Sequence, residues 1–241
     1  MVGALLAKGR DADVVDIGAG WQAALSHGDL AAVPGFGATL WAALSQKGEV
    51  PATAEVLPEV ARLIGPEVGV LPAPGVDGGL VWLVTGKTAR DGITSLSRIG
   101  AWSKGRRVAV PSLALTRGDG VPGLRAVYGG RFAVDEVEDP LERARRLTGG
   151  QAALAAFRKT EYTGASGLVA LVDPDGLALP DPGVLLVNNA LADAEPDHVL
   201  ALDALARALT SDGLLDLQAQ VVAGGSVSDV TDRWLTEQGL A

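Results

Sequence analysis

The chain reads as an α/β protein with parallel sheets covered by helices. Two observations predict this. Short β-branched runs (Val14-Val15, Val81 to Val84, Val108 to Val110, Leu168 to Val172, Val184 to Val187) alternate with helical stretches such as Ala54 to Ile64, Leu141 to Leu147 and His198 to Leu209. The 241 residues are 48% hydrophobic and only 20% charged, enough for a sizeable core in one large or two modest domains, which excludes a disordered chain.

In chain order, Val14-Val15 reads as the first strand, and His27-Gly28 as a helix end, where a histidine suits the local dipole. Asp119-Gly120 and Pro122-Gly123 carry turn chemistry, with glycine free to take positive φ and proline fixing φ. A short helix follows and stops at Gly129-Gly130. Asp139-Pro140 starts the next helix, whose Arg143, Arg145 and Arg146 are expected on a solvated face, interleaved with Leu141, Ala144 and Leu147. Asp173-Pro174-Asp175-Gly176 and Asp181-Pro182-Gly183 are turns. His198, Ala201, Leu202, Leu205 and Leu209 define one buried helical stripe. Ser226 with Asp229 three positions on gives the last helix a capping-box-like start, and Gly239 is placed to end it.

Several function classes are excluded. A formal charge of −9 argues against nucleic acid and anionic membrane surfaces, both of which need a basic face. Cysteine is absent, which removes disulfides, thiolate nucleophiles and cysteine-ligated metals. The two histidines, His27 and His198, have no partner at metal-ligand spacing, and Asp173 with Asp175 offers too few ligands for calcium. No metal and no cofactor is expected. Every apolar run is broken by Gly, Pro or charge before membrane-spanning length, and Met1 to Lys8 has no signal-peptide pattern.

Thr116 to Gly129 (TRGDGVPGLRAVYG) resembles the R-x-D-G-L-P-G-L-x-x-x-Y-G tract of the glycine betaine, carnitine and choline binding proteins of osmoprotectant ABC importers. Matches of the same kind recur in order. Asp13 to Gly18 and Ala23 to Leu30 resemble the family's strand, glycine turn, helix and L-x-x-G-E-I-D return, and Val33 to Leu40 its Y-P-E-Y-T-G-T-A. Leu209 to Leu217 and Val227 to Leu240 resemble its two closing helices. The resemblance spans nearly the whole chain, but the family's first strand and most of its first helix are missing before Asp13.

This resemblance implies a two-lobed, type II periplasmic-binding-protein-like fold with two mixed, mostly parallel sheets. Lobe one would hold residues 1–85 and 190–241 and lobe two 86–189, with crossings at Leu80 to Lys87 and Gly183 to Ala190. It also implies a non-enzymatic monomer outside the cytoplasmic membrane, handing a small solute from an interlobe cleft to the permease subunits of an ABC importer. A quaternary ammonium cannot donate a hydrogen bond, so aromatic faces hold it.

The family's cage maps here onto Phe36, with Thr39 keeping its second threonine while Gly35 and Gly37 replace the glutamate and the first threonine. Its other positions fall on Phe157, on Leu80, on Ala114 or Leu115, near Ala19, and on Pro182 to Leu186. Rings thus remain only at Phe36 and Phe157, with Trp21 and Trp82 placed to supply others. Arg158 and Lys159 would suit a ligand carboxylate if they face the site. Trp41 and Trp234 lie on helices as packing residues, while Trp102 and Tyr162 fall in loop-like sequence.

Two alternatives belong to other classes. One is a degenerate receptor of the same fold acting as a sensor or interaction module. The other is an S-adenosylmethionine-dependent methyltransferase, since Val14 to Gly20 resembles a D-x-G-x-G cofactor turn. Against the latter, no acidic residue lies between Leu30 and Gln46 to hold ribose hydroxyls.

Overall fold

A computed structural model describes residues 13–15, 20–45, 50–161 and 163–240. The elements run α1 (Trp21–His27), β1 (Ala32–Phe36), α2 (Gly37–Ser45), α3 (Thr53–Ile64), β2 (Val68–Asp77) and β3 (Leu80–Thr85). There follow α4 (Gly86–Arg90), a 3-10 turn (Leu96–Arg98), α5 (Ile99–Trp102), β4 (Arg107–Val110), α6 (Leu113–Thr116), α7 (Val121–Tyr128) and β5 (Ala133–Glu136). The chain continues through α8 (Pro140–Thr148), β6 (Leu154–Arg158), β7 (Leu168–Ala170) and β8 (Pro182–Asn188) to α9 (Asn189–Ala194), α10 (Pro196–Ala208), α11 (Ser211–Val222) and α12 (Val227–Glu237).

These elements form two compact units, one of Met1–Gln46, Pro51–Asp77 and Asp181–Ala241, the other of Lys47–Val50 and Gly78–Pro180. Besides the short Lys47–Val50 segment, the chain passes between them at Asp77-Gly78 and Pro180-Asp181, so β3 belongs wholly to unit two and β8 wholly to unit one.

Unit one is built on a sheet of order β1-β8-β2, antiparallel in both pairings. Its return strand β8 is central and buried from Gly183 to Asn188. Against this sheet pack Leu202 and Leu205 of α10 with Leu209 at its C-cap, Leu214 and Leu217 of α11, and Val230 and Leu235 of α12. The stripe expected on α10 is therefore real at its leucines, while His198 is exposed. On α3, Val56, Val60 and Ile64 recur every four residues and are all buried. α12 starts as its sequence predicts, with Ser226 Oγ accepting from the Asp229 N–H at 3.0 Å.

Unit two carries a five-stranded sheet of order β5-β4-β6-β3-β7. β4 pairs parallel with β5 and β6, while β3 pairs antiparallel with β6 and β7. Helical crossovers connect these three parallel strands, α6 and α7 from β4 to β5, and α8 from β5 to β6 on the other side of β4. Expected parallel pairing is thus confined to this unit; in unit one β8 lies between two strands and runs against both.

Two further expectations are corrected. Val14 and Val15 form no strand and are exposed, and the adjoining turn to Ala19 lies outside the described residues. Arg143 is fully buried, because its guanidinium is consumed inside unit two: Nη1 donates to the Val137 and Glu138 carbonyls and Nη2 pairs with Glu161. Arg145 keeps to the exposed face of α8, bonded to Glu142 at 2.7 Å.

Candidate functional site

The corner where β1 meets α2 concentrates polar chemistry in unit one. Phe36 ends the strand and Gly37 begins the helix with no residue between. A helix start leaves backbone N–H groups without intrahelical partners, and the first turn of α2 has no acidic residue to compensate. The compensation comes from far along the chain. Asp181 Oδ1 accepts from the Ala38 N–H at 2.7 Å and the Thr39 N–H at 3.2 Å, and Oδ2 accepts from the Thr39 hydroxyl at 2.7 Å. Asp181 itself is 0% exposed.

A second carboxylate extends this network. The Asp181 N–H donates to Asp77 Oδ1 at 2.9 Å, and the Asp77 N–H donates to Ser211 Oγ at 2.8 Å. The last residue of β2, the residue before β8 and the start of α11 are thereby tied to one helix terminus. Small residues let the backbone close here. A Cβ on Gly37 would lie 2.7 Å from Leu57 Cδ2 and 2.8 Å from Val56 Cγ1, and one on Gly183 would lie 2.6 Å from Val76 Cβ.

Of the residues expected to bind a ligand, three lie in unit one. The Phe36 ring is half-buried and packs against the core of Ala73, Val76 and Leu185. Thr39 is half-buried with its hydroxyl engaged by Asp181. Trp21 opens α1 and is half-buried, behind Gly20 at φ 94°. Trp41 is buried and Trp234 packs on the unit-one core, as expected for packing residues.

The remaining four lie in unit two and serve its core. Alternation along β3 turns Leu80, Trp82 and Val84 to one side, among Ile99, Val108 and Leu124. Leu80 and Trp82 are 1% and 2% exposed, and Leu115 packs half-buried against the same cluster. Phe157 points to the opposite cluster with Ala109, Ala144 and Leu147, and is 1% exposed. The Arg143 guanidinium carbon stands 5.1 Å from its ring centroid, so the protein's own cation occupies the π face. Leu80, Trp82 and Phe157 are thus all packed within unit two. Trp82 Nε1 is buried without a hydrogen-bond partner.

The glycine-rich tract that carries the sequence resemblance is a structural corner of unit two. Arg117 and Asp119 are buried and form a fork, Nε to Oδ1 at 2.8 Å and Nη2 to Oδ2 at 2.7 Å. α7 ends at Gly129 with φ 66°. The Tyr128 hydroxyl donates to Asp173 and accepts from the Asp175 N–H at 2.9 Å, fastening α7 to the loop after β7. Burial, and then the Asp173 hydrogen bond, push the Tyr128 phenol up to about 12. Asp173 is held below the usual carboxylate range: its burial acts the other way but is outweighed by hydrogen bonds from the Ala178 N–H and Tyr128. Arg158 donates to the Gly78 carbonyl at 3.2 Å, and Lys159 is exposed. Trp102 meets Phe132 edge-on at 5.9 Å; Tyr162 lies outside the described residues.

Sequence reasoning missed Asp181 and Asp77. Asp181 was legible only as part of a turn, because its partners lie 142 and 143 positions away. Among the described residues no cluster of potential metal ligands is present, and no helix is long and apolar enough to cross a membrane.

No family model matches the sequence, and no curated protein matches it in sequence. Solved structures do match. A glycine betaine/carnitine/choline ABC transporter protein is 18% identical with a TM-score of 0.74, the match covering 93% of this chain and 86% of that one. Apo YehZ from Escherichia coli is 18% identical with a TM-score of 0.67, over 99% of this chain and 95% of that one. An ABC-transporter choline-binding protein in complex with choline is 15% identical with a TM-score of 0.64, over 98% of this chain and 82% of that one.

The fold is therefore the type II periplasmic-binding-protein-like class, two α/β units each on its own sheet. Within that class, the chain is similar in fold to binding proteins of glycine betaine, carnitine and choline transporters.

Proposed function

We propose that this chain is the solute-binding component of an ABC importer and captures a small quaternary-ammonium, osmoprotectant-like solute. In this reading it is a monomeric, non-enzymatic receptor outside the cytoplasmic membrane that delivers its solute to permease subunits. One observation carries the proposal: the fold follows that of a choline-binding protein over 98% of this chain. The order of sequence matches from Val33 to Leu240 supports it. Unit one supplies the ligand-facing groups, with the half-buried Phe36 ring as cation-π partner and Trp21 as a second ring.

The burial of Trp82 and Phe157 favours a second reading, a receptor-like fold retained as a sensor or interaction module. The methyltransferase alternative rests on a turn of which only Gly20 is described.

Calorimetric titration with glycine betaine, carnitine, choline and proline betaine separates the readings. The receptor reading expects saturable heat with at least one of the four, weakened roughly thirtyfold by Phe36→Ala if the ring supplies about 2 kcal/mol. No heat with any of them leaves the sensor reading.

A further inference from the structure

The formal charge of −9 is the sum of two unlike units. Unit two holds 15 of the 20 lysines and arginines but 11 of the 29 acidic residues, a net of +4, which leaves unit one at −13. Inside unit two much of the acidic side is consumed, Asp119 by Arg117, Asp135 by Arg107, Glu142 by Arg145, Glu161 by Arg143 and Asp173 by Tyr128. Five exposed cations, Arg98, Lys104, Arg106, Arg125 and Arg131, form no ion pair among the described residues. The fold gathers them. Lys104 and Arg106 flank Gly105, at φ 75°, in the turn entering β4. The Arg131 N–H donates to Ser103 Oγ at 2.7 Å and the Ala133 N–H to the Arg106 carbonyl at 2.9 Å, so the chain entering β5 lies along that turn. Arg106 closes over the half-buried Trp102 ring, its guanidinium carbon 4.9 Å from the centroid. Arg125 lies in the last turn of α7, whose Tyr128 carbonyl would be 3.3 Å from a Cβ on Gly100 of α5, and Arg98 immediately precedes α5.

This basic corner stands at the N-terminal ends of β4 and β5, where Arg107 pairs with Ala133. Open parallel sheets bind their ligands at the opposite, C-terminal ends of the strands, so a solute site does not account for it. Nor does a protein partner. Stable interfaces carry an apolar centre, and among the described residues Val127 is the sole large apolar side chain that these elements expose. Four of the five cations are arginines, whose planar fork matches phosphate oxygens two at a time. Trp102 adds an amphipathic ring of the kind enriched at membrane interfaces. Resting on the reading that the chain works beside a membrane, we infer that this corner of unit two docks on the phosphate headgroups of an anionic bilayer. The charge of the whole chain hides this surface, because charges more than a Debye length away, about 8 Å at physiological salt, are largely screened at the contact.

Co-sedimentation with sucrose-loaded vesicles tests the inference, using phosphatidylcholine alone or with about 30% phosphatidylglycerol, at about 20 mM and about 500 mM salt. The expected result is binding to the phosphatidylglycerol vesicles, lost at high salt, and none to phosphatidylcholine. Lys104→Gln with Arg106→Gln and Arg131→Gln is expected to lower partitioning at least about tenfold. Arg62→Gln with Lys87→Gln and Arg207→Gln removes the same charge from other exposed positions and is expected to leave partitioning unchanged. Circular dichroism establishes folding, and single variants, each expected to lower partitioning about threefold, replace the first triple if it does not fold. No sedimentation with phosphatidylglycerol, or an equal loss in both triples, overturns the inference. Displacement of the vesicles by a single-stranded oligonucleotide that binds more tightly assigns the corner to nucleic acid and overturns it too. Solute calorimetry reads the receptor proposal separately, so vesicle binding without solute heat sinks that proposal and leaves this one standing.

Discussion

Replacing Asp181 by alanine tests how much the distant cap contributes to unit one. The substitution removes the acceptor of the Ala38 and Thr39 N–H groups and of the Thr39 hydroxyl, at a fully buried position. A hydroxyl can rotate to another acceptor, but the two N–H groups are fixed, and each buried donor left unpaired costs about 1–3 kcal/mol. The expected loss is about 3–4 kcal/mol, a large share of a typical domain stability. Asparagine keeps an acceptor oxygen for both N–H groups and forfeits the charge assistance and the acceptor of the Thr39 hydroxyl, which can turn to accept from the amide instead, so Asp181→Asn is expected to cost about 1–2 kcal/mol. Urea unfolding followed by tryptophan fluorescence measures both, and Trp41 lies in α2 itself, 5% exposed. An alanine variant that loses less than about 1 kcal/mol, or less than the asparagine variant, would refute this account of the cap.

Three other outcomes are expected. Asp119→Ala removes the two-bond fork to the buried Arg117 and lowers stability by about 2–3 kcal/mol, more than Asp119→Asn, which keeps one acceptor; urea titrations compare the two. Tyr128 has a folded pKa above its unfolded value, so its contribution is complete below about pH 10 and is lost as pH rises through about 12. With only two tyrosines in the chain, a phenolate absorbance titration should show the late step, and Tyr128→Phe should delete it. Gly37→Ala drives a methyl against Leu57 and Val56, for an expected loss of about 1–3 kcal/mol in thermal or urea unfolding.

What the sequence made legible was local. α3, α8, α10 and α12 follow from periodicity and from caps whose partners lie within a few residues, as at Ser226 and Asp139. β2 escaped notice because Pro72, Pro74 and Gly75 interrupt it, and the structure accommodates them with an irregular register between Ala73 and Asp77. Arg143 looked like its two neighbouring arginines, and nothing in the spacing says that Val137, Glu138 and Glu161 will surround it. The candidate site divides the same way. A short motif singles out Phe36 and Thr39, but the Asp181 that answers Thr39 is supplied by tertiary structure alone.

The glycines at positions 37 and 183 also bear on which substitutions this corner accepts. Position 37 has no room for a methyl unless Leu57 or Val56 shifts, and position 183 is closed by Val76 in the same manner. A larger residue at either place therefore calls for a compensating change in a second element, which makes α3 and β2 partners in any redesign of the corner.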